Sequence, residues 1–302
     1  QVDAIVALTH LSFSEDRRLA ERFPEIDVIV GGHEHYPITA IQNRTLISKS
    51  GSDAKFVARI DINRRPPGAV ERFYELIPIT SALKDEPRTA AVVASYLAKL
   101  GIELDAVVGR TRIALDGIAQ RLRSGETNLG NLVADAIRAE AQADVAIVNA
   151  GGIRGDRVRA AGPISRRDVL EIHPFSNSVC KVVVSGRVVL QALNSGVSRL
   201  PAAAGQFPQV SGLTMRVDAN ASPGSRVRDV RVLGQPLDLD REYTVALPDF
   251  MLLGGDGYTM FASQQVLVGP ESGKRMAQVL EEYIAARREV GPSTEGRIEV
   301  LR

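Results

Sequence analysis

The sequence holds a single cysteine, Cys180, in 302 residues. One thiol excludes an intrachain disulfide and a cysteine-built metal cluster. No apolar run approaches the roughly 20 residues that a membrane-spanning helix requires. Neither charge dominates: 37 Lys and Arg stand against 36 Asp and Glu, a net charge of +1. That balance argues against a surface made to hold duplex nucleic acid or anionic lipid, and leaves room for a local basic pocket. No repeat of fixed period and no low-complexity tract occurs. No Met and no charged-then-apolar leader precedes the first strand, so no signal peptide is expected within these residues. Histidine is scarce too, with four in all: His10, His33, His35 and His173.

What is present is ordinary globular composition, 44% apolar and 24% charged, at a length that suggests roughly two domains. The opening reads as strand, helix, strand. Val2–Leu8 is an apolar run that suits a buried strand. Ser12 and Glu15 have capping-box spacing ahead of a polar helix over Ser14–Phe23, and Pro24 stops it. Asp27–Val30 is a second strand and runs into Gly31-Gly32-His33-Glu34-His35. Two strands joined through a helix pair in parallel. Thr45–Ser48 and Phe56–Ile62 read as further strands, and Arg64–Gly68 as a turn. Over Asp85–Leu100 the residues Ala91, Val92, Ala94, Leu97 and Leu100 repeat at helical spacing, with Pro87 in the first turn and Gly101 as the expected C-cap.

From about Ile102 a larger α/β region follows. Thr127 is placed to cap a helix that runs through Gln142. Val145–Val148 is a buried strand that breaks into Asn149–Asp156. Ser165 and Asp168 have cap spacing before a short helix. Val179–Val184 is a strand, Gly186 a turn, Arg187–Val197 a helix, Val227–Leu239 a hairpin, Tyr243–Leu247 a strand and Gly273–Arg288 a long helix. Cys180 lies in an apolar strand and reads as inert packing.

Chemistry concentrates in two places. His10 follows the first strand, and His33 and His35 follow the second. Parallel strands put their carboxyl ends at one sheet edge, where sites in open α/β sheets form. The three imidazoles are therefore candidates for a metal centre with an open position; the alternative is surface-loop histidines. Glu34 between them is expected to face solvent. The second place is the larger region. Arg123 and Arg154 offer planar forks suited to phosphate, and Gly151-Gly152 allows close approach of backbone to a ligand. Phe175, after His173-Pro174, and Phe250, ahead of a Gly-rich loop with Asp256, could sandwich a base while the carboxylate accepts from ribose. The alternative places both rings in the core and makes Gly-Asp-Gly a plain turn. His173 reads as a structural group.

Six stretches together resemble the 5′-nucleotidase family: ALTHLS around His10, VIVGGHEHY around His33 and His35, ETNLGNLVADAIR at Glu126–Arg138, NAGGIRGD at Asn149–Asp156, HPFSNS at His173–Ser178 and GGDGYTMF at Gly254–Phe261. The likeness spans nearly the whole chain, and the order and spacing of the motifs carry it. The resemblance implies an α/β chain made of the C-terminal part of a calcineurin-like metallophosphoesterase domain (residues 1–82), a linker helix (83–103) and a nucleotide-binding C-terminal domain (104–302). It implies that His10 and His33 ligate one ion, and His35 the other, of a pair of divalent cations, Zn or Mn. It implies phosphate binding by Arg123 and Arg154, base contact by Asn149, base stacking by Phe175 and Phe250, and ribose binding by Asp256. A periplasmic or extracellular setting and a nucleotide or nucleoside ligand follow from the same likeness; the charge balance and the lack of a long apolar run lead us to expect no nucleic-acid or membrane partner.

The chain departs from the family pattern in lacking an Asp-x-His motif, a Gly-Asp motif ahead of His10 and a Gly-Asn-His motif, which carry the bridging aspartate and the transition-state histidine. It is therefore expected to be a truncated form of a metal-dependent phosphoric ester hydrolase, with no catalytic residue of its own, little activity and retained nucleotide binding. A half-sheet also leaves a strand edge open to self-association. The alternatives are a non-catalytic nucleotide-binding module, an interaction protein, or a relative acting on 2′,3′-cyclic nucleotides, UDP-sugars or, in sulfur oxidation, another substrate.

Overall fold

The computed structural model describes residues 2–65 and 69–301. The Pro66-Pro67-Gly68 part of the expected turn and the side chain of Leu100 lie outside the described residues. The chain forms two compact units, Gln1–Ser95 and Tyr96–Arg302.

In the first unit, strand β1 (Val6–Thr9) pairs in parallel with β2 (Val28–Gly31) across helix α1 (Phe13–Arg22). Glu15 accepts from the Ser12 backbone N–H at 2.9 Å, and the helix opens at Phe13. β1 is shorter than the apolar run suggests. The backbone N–H of Ile5 donates to the Asp27 carboxylate at 3.0 Å instead of to a strand, and the ladder begins only at Val6. After β3 (Pro37–Gln42), β4 (Thr45–Ser50) adds in parallel to β2, so the sheet order is β1-β2-β4-β3. β5 (Phe56–Arg65) and β6 (Ala69–Pro78) form a separate antiparallel hairpin. Ala20, Ile26, Ile29 and Ile47 make a small core. β1 stands at the sheet edge with Leu8 and Val6 exposed, at 87% and 52%.

Helix α2 (Pro87–Leu104) contains the boundary between the units. It does not stop at Gly101. The residues after that glycine are good helix formers, and one interior Gly costs only about 1 kcal/mol. Val92 and Leu97 stay about half exposed. No helix among the described residues is long and apolar enough to cross a membrane.

The second unit is built on a five-stranded mixed sheet in the order Pro208–Ser211, Val145–Asn149, Glu242–Pro248, Val179–Ser185, Gln265–Val268. All five residues of Val145–Asn149 are buried. The helix Asn128–Ala141 packs on this sheet, with the Thr127 hydroxyl capping it by accepting from the Gly130 N–H at 3.1 Å. Gly130 is required there, because a Cβ would lie 2.1 Å from Oε1 of the buried Gln209. Gly186 is not a turn. It opens the helix Gly186–Gly196, and its missing Cβ makes room for the carbonyl of Asp238, which would stand 2.1 Å away. The later helix runs over Met276–Arg287, shorter than the pattern suggested. Cys180 is fully buried, and burial together with Asp249 pushes its thiol up to about 12, so it is inert packing.

Candidate functional site

Sheet topology gathers the second unit's motifs. Val145–Asn149 and Glu242–Pro248 run in parallel, so Asn149 and the residues after Pro248 emerge at one edge. Val179 pairs with Pro248 and Pro208 with Asn149 in antiparallel register, which brings the segments before them, His173–Ser178 and Ala204–Phe207, to that same edge. Arg123 joins them because its carbonyl accepts from the Ala204 N–H at 3.0 Å, while Gln209 Nε2 donates to the carbonyls of Leu122 and Gly125 at 2.9 and 2.7 Å.

At the edge, Asn149 is buried and its Nδ2 donates to Oδ2 of Asp256 at 2.7 Å. Asp256 sits in left-handed backbone at φ 53°, directly over a glycine floor. A Cβ on Gly151 would stand 3.3 Å from its Oδ2, and one on Gly205 3.5 Å. The loop is thus more than a plain turn: it aims a carboxylate. Phe175 and Phe250 are 47% and 43% exposed, which rules out the core alternative for both rings. The Phe250 ring lies flat against Gly255, where a Cβ would come within 2.5 Å of it. Asp249 couples the two aromatic segments. Its Oδ1 accepts from Asn177 Nδ2 at 2.6 Å and from the Phe250 N–H at 2.7 Å. The Arg154 guanidinium lies 5.5 Å from the Phe175 ring centre.

The electrostatics of this edge favour an anion. Burial and the like charge of Arg154 lower the pKa of Arg123, with Asp156 and Asp256 opposing. The Nε of Arg123 is buried without a hydrogen-bond partner. Two guanidinium groups held near one another, one of them incompletely satisfied, constitute a site that an oxyanion would relieve. His173 lies behind the loop, 3% exposed; burial depresses its pKa to about 4, against a smaller opposing effect of the Gly152 backbone.

In the first unit, His10 and His33 meet edge to face with ring centres 5.6 Å apart. His35 follows on the same exposed loop. Glu34 does not face solvent. Its Oε2 pairs with Lys49 Nζ at 2.6 Å and its Oε1 accepts from the Phe13 N–H at 2.6 Å, because an ammonium buried in β4 demands counter-charge. Burial opposes ionisation of both groups and is outweighed: Lys49 and the Phe13 N–H lower the Glu34 pKa, and Asp16 together with Glu34 raises that of Lys49. Among the described residues no group of three or more His, Cys, Asp or Glu side chains is placed to hold a metal ion. The described donors by themselves make no such group, so a dinuclear centre would need donors in addition to these imidazoles.

Sequence reasoning missed Lys49, Asp249 and Gln209. The signal for Lys49 was its place two residues after Ile47 in the strand that begins at Thr45, which puts a lysine on the face that Ile47 turns to the core. Asp249 stands between a strand end and Phe250, and only the fold shows that it also reaches Asn177.

Comparison with known proteins decides the family. The family model described as 5′-nucleotidase, C-terminal domain, matches residues 107–263. The chain belongs to the 5′-nucleotidase family. It is 30% identical over 317 residues to the trifunctional nucleotide phosphoesterase protein YfkN of Bacillus subtilis (strain 168), covering 99% of this chain and 21% of that protein. It is 28% identical over 338 residues to the 5′-nucleotidase of Bos taurus, covering 99% of this chain and 58% of the relative. The crystal structure of the 5′-nucleotidase precursor from Thermus thermophilus superposes with a TM-score of 0.83 at 30% identity, covering all of this chain and 64% of that one. The chain therefore spans less than two thirds of each of these relatives, and its mixed α/β fold is that of a 5′-nucleotidase structure.

Proposed function

We propose that this chain binds a nucleotide at the sheet edge of its C-terminal unit and belongs to a protein that hydrolyses nucleotide phosphate esters. The observation that carries the reading is the pairing of Arg123 with Arg154 beside two half-exposed phenyl rings. A base stacks between Phe175 and Phe250, each ring contributing about 1–3 kcal/mol. The ribose hydroxyls donate to Asp256, whose carboxylate Asn149 orients. The phosphate takes the guanidinium forks of Arg123 and Arg154. The histidine rim of the N-terminal unit is the reactive end, supplying nitrogen donors to a centre that other groups complete. Nucleotide capture without turnover is the second reading, favoured by the absence of a three-donor group among the described residues.

The test compares a nucleoside with its 5′-monophosphate by calorimetric titration of the purified chain. The monophosphate binds more tightly, and Arg123→Met removes most of the difference while leaving nucleoside affinity nearly intact. Equal affinities in the unmodified chain, or no binding of either, would defeat the reading. Phosphate release with Mn or Zn added separates hydrolysis from capture: little release is expected from this chain alone.

A further inference from the structure

The histidine rim is held by a residue outside it. Lys49 is fully buried, and the contacts of its Nζ converge on the two histidine-bearing loops. It donates to the carbonyl of Leu11, next to His10, at 2.6 Å, and to the carbonyl of Gly32, next to His33, at 2.9 Å. It pairs with Glu34, on the other side of His33, at 2.6 Å and with the buried Asp16 at 2.8 Å. Asp16 in turn accepts from the Thr9 hydroxyl at 2.8 Å, on the side of His10 toward the strand.

Between the two Lys49 contacts at Gly32 and Glu34, the backbone of His33 is strained. Its φ is 77°, and the Glu34 N–H donates to the Gly32 carbonyl at 3.1 Å. That is the three-residue γ-turn with positive φ, which is rare and unfavourable for a side chain of this size. Such a conformation persists where the surroundings over-determine it, and here the ammonium grips both ends of the turn. The two glycines before His33 are spaced by the same cluster. A Cβ on Gly31 would stand 3.0 Å from Thr9 Oγ1 and 3.1 Å from Asp16 Oδ2, and a Cβ on Gly32 3.0 Å from Nδ1 of His10. The run Gly-Gly-His-Glu is thus read through Lys49: the first glycine clears the ion cluster, the second clears the His10 ring, and the glutamate closes the clamp.

We propose that Lys49 is the positioning residue of the His10–His33 pair, forcing the turn that sets one imidazole against the other. The inference rests on the reading of that rim as the reactive end, and its readout does not depend on nucleotide binding. With four histidines in the chain, the ring signals of the full, isotope-labelled protein can be assigned one by one by NMR. In the unmodified protein, His10 and His33 show an inter-ring cross-peak, and the Lys49 ammonium gives a protected signal. Lys49→Met abolishes that cross-peak and shifts both ring signals, while His173 and nucleoside affinity stay unchanged. Because Lys49→Met leaves two buried carboxylates without a cation, the neutral combination Lys49→Met/Asp16→Asn/Glu34→Gln is measured beside it and gives the same loss. A cross-peak and ring signals that survive in either variant with β2 and β4 amides in place overturn the proposal. So does an exchanging, unprotected Lys49 ammonium in the unmodified protein, an outcome that decides even if both variants unfold. Loss of nucleotide binding with an intact Lys49 effect instead strikes the functional reading alone.

Discussion

Asn149 and Asp256 meet across 107 positions of sequence, with the buried amide of one donating to the carboxylate of the other at 2.7 Å. The bond fixes a carboxylate that left-handed backbone holds over Gly151 and Gly205. A hydrogen bond to a charged group contributes about 1.5–3 kcal/mol. Asn149→Ala is expected to lower stability by roughly that amount and to weaken nucleoside binding. Asn149→Asp, which sets carboxylate against carboxylate, costs more on both counts. Urea unfolding and calorimetric titration check it; equal losses in the two variants would show that the bond is not what orients Asp256.

Phe250 and Gly255 give a separable prediction. Because both candidate stacking rings are about half exposed, Phe175→Ala and Phe250→Ala change the melting temperature little and each weakens binding by about 1–3 kcal/mol. Gly255→Ala keeps the phenyl ring and displaces it, since the added Cβ would lie 2.5 Å from the ring. It is expected to cost affinity alone, and to cost nothing further on top of Phe250→Ala, the non-additivity that contacting residues show. Additive losses in the double variant would place the effect of Gly255 elsewhere.

His173 makes stability pH-dependent in a defined window. Its folded pKa of about 4 lies below the ordinary 6.5 because burial disfavours the charged ring. Between those values the unfolded chain holds a proton that the folded chain does not. Its contribution is therefore intact above about pH 6.5 and is lost as pH falls toward 4, by up to about 1.4 kcal/mol per pH unit. The stability difference between the unmodified protein and His173→Asn, measured by urea unfolding from pH 7 to 4, should shrink toward low pH with that slope. A difference independent of pH would mean that the ring is charged, or solvated, in the folded state.

Much of the fold was legible because it rests on local rules. Thr127 caps its helix and Ser165 forms its box with Asp168 as spacing alone indicates. The parallel pairing of β1 with β2 follows from the helix between them. What escaped depends on contacts distant in sequence. Gly101 looks like a stop and lies inside a helix, since nothing in the neighbouring residues ends it. Gly186 looks like a turn and is a clearance for Asp238, 52 positions away. Glu34 looks like a solvent-facing neighbour of two histidines, and its partner is a lysine buried on another strand. The aromatic pair was legible from its residues; what couples their segments was not, because Asp249 carries no motif that announces it.

The edge strand β1 supplies the last prediction. Its outer backbone has no strand partner within the unit among the described residues, and Val6 and Leu8 stand exposed along it. An unpaired edge with apolar side chains is a template for another strand, and we propose that two copies of this chain pair there. Light scattering on a size-exclusion column is expected to show concentration-dependent association. Leu8→Lys places a charge on the strand at a side chain that makes little contact in the unit, 87% exposed. It should shift the protein toward monomer without lowering its melting temperature and without changing nucleoside affinity, because the residues proposed to bind the base lie in the other unit. A unit that stays monomeric at high concentration before the substitution, or that associates equally after it, would show that the edge is not the contact.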